Sequence, residues 1–180
     1  MLRASRASRA SSPLSPEDFK GLVIRTPPIK AIIESMKAFG ASVVSIPYGE
    51  VYMAMKQGVA DGEENSLTNI TGMKFYEVQK YISISNYIYS GDMFIMNKKL
   101  WDSLSASHQK SLDEAAGEAL AFQRNLLKTE ELDALDTIMA AGCKVNLVYA
   151  PPFYPLVQHM YDNIKEYVPA SLVNEIRKMK

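Results

Sequence analysis

An alternation of short apolar segments with helical patterns constrains the fold of this chain most strongly. Residues 21–25 (GLVIR) and 42–46 (SVVSI) are typical of short buried strands, and a third strand is predicted near 59–63. Apolar residues at helical spacing predict a helix that ends at Gly40, and a second helix is predicted over 50–57. Strands and helices that alternate with such short connections indicate an α/β fold with a parallel sheet and right-handed crossovers.

A long helical pattern dominates the second half of the chain. It runs over about 105–141, and a helix of that length extends about 50 Å. Such a helix is longer than one small domain needs and is typical of a helix that bridges two lobes. The other predicted elements are strands at 80–89, 92–96 and 143–149 and closing helices at 153–167 and 171–179.

The first sixteen residues differ from the rest of the chain. They repeat Arg-Ala-Ser and have too little apolar surface to fold alone, so we expect residues 1–16 to be disordered. We favour a cloning remnant or a misplaced start codon over a short transit peptide as the origin of this segment. The remaining chain divides into an α/β ligand-binding lobe at 17–90 and a second segment at 91–180. The second segment holds a returning strand, the long connecting helix and the C-terminal helices.

Composition excludes several classes of protein. Twenty Lys and Arg balance twenty Asp and Glu, which argues against a dedicated nucleic-acid binder. No apolar run is long enough to cross a bilayer, so we expect a chain that is not membrane-embedded. The single cysteine, Cys143, excludes an internal disulfide framework. Because His108 and His159 lie far apart and no nucleotide-binding or nucleophile motif occurs, we expect neither a metal nor a cofactor.

Three residues are predicted to lie where an open parallel sheet binds ligands. Arg25 ends the first strand, Tyr48 follows the second strand, and Asn65 follows the third and precedes a helix. A guanidinium binds a carboxylate through two hydrogen bonds, an amide donates and accepts, and an aromatic ring packs on a carbon skeleton. The pattern favours a small anion. The alternative is a surface salt bridge for Arg25, a core ring for Tyr48 and a turn or cap for Asn65.

An acidic cluster lies beside Asn65. Asp61, Glu63 and Glu64 are close enough in sequence to hold a cation, but the spacing of a calcium-binding loop does not occur. We therefore interpret the cluster as a solvated loop.

Three sequence blocks resemble the solute-binding receptors of TRAP (tripartite ATP-independent periplasmic) transporters, of the dicarboxylate-receptor type. The blocks are SPEDFKGLVIRTPP, FGASVVSIPYGEVYMAMKQGVADGEENSLTNI and KFYEVQKYISISNYIYSGDMFIMNKKLWDSLS. They occur in the order and spacing of the family, and the resemblance covers about residues 15–180. It implies a two-lobed protein of the type II periplasmic-binding class, with a long helix spanning both lobes. Such receptors capture organic acids and deliver them to a membrane permease.

The resemblance also implies roles for individual residues. Arg25, in the Ile-Arg-Thr-Pro block, matches the arginine that pairs with the ligand carboxylate, and Asn65, in Glu-Glu-Asn, matches a ligand-contacting asparagine. Tyr48 matches an aromatic position lining the cleft. Tyr87 falls where many members carry a histidine near the hinge, and we include it with the other three as a predicted ligand-binding residue. Glu63 replaces the glutamine that is common in its block, so we treat it as a neighbour of the site.

Family members are longer, with a signal peptide and most of a first lobe before the matching region. We therefore expect the second lobe, the long helix and returning elements, with the first lobe largely missing. The predicted function is periplasmic binding of a small carboxylate, with TRAP permease subunits as partners and no enzymatic activity. C4-dicarboxylates, 2-oxo acids and acidic sugars remain open as ligands. The alternatives are a truncated receptor fragment without useful binding, an α/β enzyme acting on an organic acid and, more weakly, the effector lobe of a transcription regulator.

Overall fold

A three-stranded parallel sheet organises the first part of the chain. The structure, a computed structural model, describes residues 14–89, 91, 93–160 and 168–179. Strand β1 lies between β2 and β3, and both pairings are parallel. The predicted alternation of strands and helices around a parallel sheet is therefore confirmed. The three strands are β1 (Val23–Thr26), β2 (Ser42–Ser45) and β3 (Gly62–Glu63).

Short helices connect these strands and follow the last of them. They are α1 (Lys30–Ala38), α2 (Val51–Lys56) and α3 (Leu67–Gly72). Gly40 (φ +102°) and Gly58 (φ +72°) reverse the chain after α1 and α2 in the left-handed region, which glycine enters without steric cost. The Ser66 side chain accepts a hydrogen bond from the Asn69 amide at 3.2 Å and so caps the N-terminus of α3.

A second, two-stranded parallel sheet joins distant parts of the sequence. It pairs β4 (Tyr81–Ile84) with β5 (Lys144–Leu147). Between these strands run α4 (Lys98–Ser103) and α5 (Ala106–Ala140), and α6 (Ala170–Lys178) follows β5. The second segment of the chain therefore returns to pack on the first.

The three-stranded sheet separates two apolar clusters, because successive strand residues face opposite sides. Val43 packs on a cluster formed by Ile24, Met36, Phe39, Ala41 and Phe153. Its neighbour Val44 packs on a larger cluster that includes the fully buried Val51, Phe75 and Ile138. This larger cluster also contains Ile82 of β4, so one core holds both sheets together.

The 35-residue helix α5 confirms the predicted long helix, and it is buried only near its C-terminal end. Ala134 and Ile138 are its buried residues, and α3 packs against it. Apolar side chains elsewhere on α5 are exposed, with Phe122 69% and Leu132 65% accessible. None of the helices in the described part of the chain combines the length and apolarity needed to cross a bilayer.

One predicted element is wrong, and a second is described only in part. The predicted returning strand at 92–96 does not form in its described residues: 93–96 have no regular secondary structure, and Met93 and Ile95 are 83% and 88% exposed. A strand needs a neighbouring strand for its backbone hydrogen bonds, and no described strand pairs with these residues. The predicted helix at 153–167 begins as a 3-10 helix at Pro151–Val157, and 161–167 lie outside the described residues. Three prolines in that segment lack the amide hydrogen that an α-helix uses.

The predicted disordered head extends too far. Residues 1–13 lie outside the described residues, but Leu14 and Ser15 are held by the carboxylate of Asp18. Both backbone amides donate to Asp18 Oδ2 at 3.0 Å. These hydrogen bonds lower the pKa of Asp18 and join the residues to the 3-10 helix at Pro16–Phe19. The ordered fold therefore includes residues 14–16.

Candidate functional site

The carboxyl ends of the three parallel strands bring the candidate site together. Arg25 is near the end of β1, Tyr48 begins a short 3-10 helix after β2, and Glu63 ends β3. Asn65 follows Glu63 by two residues. Because β1 lies between β2 and β3, these positions meet at one edge of the sheet, the edge where open α/β sheets bind ligands. We call Arg25, Tyr48, Glu63, Glu64 and Asn65 the strand-end cluster.

Arg25 is 4% exposed, yet most of its hydrogen-bonding capacity is unused. Its Nε donates to the carbonyl oxygen of Ile46 at 2.9 Å, and it makes no other hydrogen bond or ion pair with the described residues. The buried side-chain atoms without a partner in the described part are Thr26 Oγ1 and Asn146 Nδ2. The Nη nitrogens of Arg25 are not among them, so they reach the accessible surface. The Ile46 carbonyl, just after β2, thus fixes the guanidinium and leaves its Nη nitrogens without a partner among the described residues.

Asn65 is held by hydrogen bonds on both sides of its amide. Its Nδ2 donates to Glu63 Oε2 at 2.7 Å, and its Oδ1 accepts from Asn69 Nδ2 at 2.8 Å. The sequence alternative of a simple helix cap does not apply, because Ser66 caps α3. Asn65 is therefore a positioned polar side chain of the cluster.

Tyr48 is partly a packing residue and partly an exposed one. Its ring packs edge-on against Phe75, with centroids 6.0 Å apart, while 41% of the residue remains accessible. Burial and the charge of Glu63 raise the pKa of its hydroxyl, and Arg25 opposes this shift. The charges of Glu63 and Arg25, at the ends of β3 and β1, therefore both affect the Tyr48 hydroxyl.

Two carboxyl groups complete the cluster. Burial raises the pKa of Glu63 to about 7, with a smaller raising effect from Glu64, against the lowering effects of the Asn65 hydrogen bond and Arg25. Burial likewise raises the pKa of Glu64, against the hydrogen bond from Tyr87 and the charge of Arg25. Neither carboxylate lies within ion-pair distance of the Arg25 guanidinium in the described structure.

The interpretation of the acidic residues as a solvated loop is wrong. Asp61 Oδ2 accepts a hydrogen bond from the Val23 amide at 2.8 Å, and Glu63 and Glu64 accept hydrogen bonds from Asn65 and Tyr87. All three acidic residues are partly buried. The departure of Glu63 from the common glutamine was the sequence signal that could have identified a carboxyl group inside the site.

Tyr87 reaches the cluster through Glu64. Its hydroxyl donates to Glu64 Oε2 at 3.1 Å, and its ring packs edge-on against Phe39 at 6.1 Å. Burial, followed by the charge and hydrogen bond of Glu64, raises the pKa of this hydroxyl. Tyr87 therefore lies at the periphery of the cluster, next to Glu64. Among the described residues, the four predicted site residues share neighbours but make no hydrogen bond or ring contact with one another.

An open groove of about 2510 Å³ adjoins the cluster, and its lining includes residues of β3, β4 and α5. Glu63, Glu64, Asn65 and Tyr87 line it, whereas Arg25 and Tyr48 do not. Pockets for small ligands have volumes of roughly 300–1,000 Å³. The groove is much larger than a small acid needs, and three members of the strand-end cluster line one part of it.

The structure thus places an arginine at the carboxyl edge of a parallel α/β sheet, the edge at which open α/β sheets bind ligands. The sequence profile of the family described as bacterial extracellular solute-binding protein, family 7 (DctP), matches residues 7–168. The chain belongs to this family. The family consists of solute-binding proteins and not of enzymes.

Individual relatives agree with this assignment. The chain is 30% identical over 176 residues to the sialic acid-binding periplasmic protein SiaP of Vibrio cholerae, covering 97% of this chain and 55% of the relative. It is 37% identical over 134 residues to the C4-dicarboxylate-binding periplasmic protein DctP of Rhodobacter capsulatus, covering 74% and 40%. A TRAP periplasmic solute-binding protein from Roseobacter denitrificans, solved with β-D-glucuronate, superimposes with a TM-score of 0.84 at 26% identity, covering 93% and 56%.

These matches confirm the predicted α/β fold class and the resemblance to TRAP receptors. The chain spans about half the length of the relatives that it matches.

Proposed function

We propose that this chain provides one ligand-binding surface of an extracytoplasmic TRAP receptor for a small organic acid. The relatives named for sialic acid and C4-dicarboxylate, and the neighbour solved with β-D-glucuronate, all have acids as ligands. Two of the names also describe periplasmic proteins. The receptor would pass its ligand to the membrane permease subunits of the transporter.

The observation that carries this proposal is the geometry of Arg25. Its Nε is anchored to the Ile46 carbonyl, and its Nη nitrogens have no hydrogen-bond or ion-pair partner among the described residues. A planar guanidinium held in this way matches the two oxygens of a carboxylate. An arginine in a purely structural ion pair would instead have an acidic partner within about 4 Å.

The other candidate residues take supporting roles. The amide of Asn65 donates to Glu63 and accepts from Asn69, and these two hydrogen bonds orient it. A ligand that replaces either partner would form its hydrogen bond with this oriented amide. The exposed part of Tyr48 provides a surface for the carbon skeleton of the ligand. Tyr87 fixes Glu64, and we propose that it lines the edge of the site.

We further propose that residues 17–90 form the binding lobe and that 91–180 contribute the connecting helix and the elements that return to it. In a two-lobed receptor, residues from both lobes bury the ligand. A chain with about half the length of its relatives is then expected to bind an acid weakly, with a Kd in the millimolar range.

The experiment is an NMR titration of the ¹⁵N-labelled chain with succinate, 2-oxoglutarate and gluconate up to 50-fold above about 1 mM, with glucose and glycerol as uncharged controls. Saturable shifts for residues 25, 48 and 63–65 with at least one acid, and none with the controls, would support the proposal. Shifts that stay linear with concentration, or that equal those of the controls, would favour the fragment without useful binding.

A further inference from the structure

Glu63 is a carboxyl group placed beside the guanidinium that is proposed to bind a carboxylate. Arg25 and Glu63 are register partners on adjacent parallel strands, so both side chains project from the same face of the sheet. At the position before Glu63, Gly62 leaves room for Ile24, whose Cδ1 would lie 3.3 Å from an added Cβ. This close strand packing fixes the backbone that carries Glu63.

The two oxygens of Glu63 have different environments. Oε2 accepts the hydrogen bond from Asn65 at 2.7 Å. Oε1 has no hydrogen-bond partner among the described residues and is not one of the buried unpaired atoms, so it reaches the accessible surface. One side of the carboxylate is therefore fixed, and the other is available to a ligand.

We propose that Glu63 is a specificity-determining residue of the carboxylate site, which favours acids with one carboxylate and neighbouring hydroxyl groups over dicarboxylates. Oε1 accepts a hydrogen bond from a ligand hydroxyl, and the charge of Glu63 repels a second ligand carboxylate. This inference rests on the proposed function of the Arg25 site.

The charges around Glu63 give the direction of this selectivity. Arg25 of β1 is the cation that faces it, while Glu64 and the hydroxyls of Tyr48 and Tyr87 surround it. With Glu63 ionised, two protein carboxylates already face one guanidinium. One ligand carboxylate is tolerated beside Arg25, whereas a second adds repulsion without a further cation. A ligand hydroxyl, by contrast, donates to Oε1.

Protonation of Glu63 removes this discrimination. Burial raises its pKa to about 7, so the carboxyl is mostly neutral at pH 6 and mostly ionised at pH 8.5. The preference for monocarboxylates is therefore strong at the higher pH and weak at the lower one.

The test uses the whole chain with gluconate and D-glucarate, which differ in that C6 is a hydroxymethyl group in the first and a carboxylate in the second. NMR titrations at pH 6.0 and pH 8.5 give both affinities for the wild-type chain and for Glu63→Gln. Glu77→Gln is the matched control, because Glu77 accepts a hydrogen bond from Tyr52 and takes no part in the cluster.

At pH 8.5 we expect the wild-type chain and Glu77→Gln to bind gluconate about tenfold more tightly than glucarate, the effect of one pKa unit of coupling. The ratio should fall to about threefold or less in Glu63→Gln, and also in the wild-type chain at pH 6.0. The pH comparison needs no substitution, so it tests the proposal even if the variant does not fold.

Two results would overturn the inference, and they are distinguishable. If the acids bind but the ratio is the same in wild type and Glu63→Gln and at both pH values, Glu63 does not set specificity and the proposed function stands. If neither these acids nor those of the titration described above bind to the wild-type chain, the proposed function itself fails.

Discussion

Arg25 and Glu63 occupy paired positions on adjacent parallel strands, but their side chains do not form an ion pair. Arg25 is turned toward the carbonyl of Ile46, and Glu63 toward the amide of Asn65. Each charge is thus held by a neutral partner, which leaves an unpaired edge on both groups. In the function proposed above, this separation leaves Arg25 free to bind a ligand carboxylate, while Glu63 opposes a second one.

The raised pKa of Glu63 predicts that stability depends on pH. Its pKa rises from the ordinary 4.5 to about 7 on folding. Between pH 4.5 and pH 7, therefore, Glu63 is mostly protonated in the folded chain and mostly ionised in the unfolded chain. The free energy of unfolding should therefore fall as pH rises from 4.5 to 7 and stay lower above pH 7. The shift corresponds to a contribution on the order of 3 kcal/mol.

Urea unfolding of wild type and Glu63→Gln at pH 5 and pH 8 measures this contribution. The variant lacks the ionisable group, so it should be more stable than wild type at pH 8 by about 1–3 kcal/mol and nearly equal to it at pH 5. Equal stabilities at pH 8 would show that Glu63 is solvated in the folded chain.

The hydrogen bond between Tyr87 and Glu64 predicts a second effect on stability. Tyr87→Phe removes the donor and leaves the partly buried Glu64 carboxylate without it, at a cost of about 1–3 kcal/mol. Tyr52→Phe is the matched control, because Tyr52 donates to Glu77 at 2.8 Å on the exposed surface. We expect the control to change the free energy of unfolding by less than about 0.5 kcal/mol. If both variants lose the same free energy of unfolding, the hydrogen bond of Tyr87 stabilises the chain no more than the exposed hydrogen bond of Tyr52.

A third prediction concerns the buried C-terminal end of α5 and its contribution to the stability of the chain. Ile138 is fully buried in the core that joins both sheets, so Ile138→Ala should destabilise the chain by about 2–5 kcal/mol. Leu132 lies on the same helix but is 65% exposed, and Leu132→Ala should change stability by less than about 0.5 kcal/mol. Thermal unfolding followed by circular dichroism compares the two, and a loss at Leu132 as large as that at Ile138 would contradict the packing described here.

Much of the fold was predictable because it depends on local patterns. The strands at 21–25 and 42–46 are short apolar runs flanked by Gly or Pro, and the structure places β1 and β2 within one or two residues of them. The long helix was predicted to within one residue at each end. The prediction of a strand at 92–96 was wrong because it relied on β-propensity alone. A strand also needs a neighbouring strand to pair with, and the described structure provides none there.

The site was predictable in position but only partly in chemistry. Strand order placed Arg25, Tyr48 and Asn65 at one edge, since the carboxyl ends of parallel strands meet. The roles of Glu63 and Glu64 depend on burial and on partners distant in sequence, such as Tyr87, which no local spacing encodes. Three consecutive polar residues after a strand look the same whether they face water or a protein interior.

A fourth prediction concerns Asn65. Asn65→Ala removes an amide that is oriented by Glu63 and Asn69, so it should weaken acid binding about three- to tenfold without unfolding the chain. Asn125→Ala, on the exposed part of α5, is the control and should bind as wild type does. NMR titration with the tightest-binding acid measures both, and unchanged binding by Asn65→Ala would exclude Asn65 from the site.

The most direct measurement is the affinity of the Arg25 variants for that same acid. Arg25→Ala should weaken binding about 30-fold or more, because loss of one partner of a buried charge pair costs about 2–5 kcal/mol. Arg25→Lys should recover only part of the affinity, since an ammonium cannot match both carboxylate oxygens. Arg124→Ala, on the exposed face of α5, should bind as wild type does. If folded Arg25→Ala binds the acid as tightly as wild type, Arg25 is structural and the carboxylate site lies elsewhere.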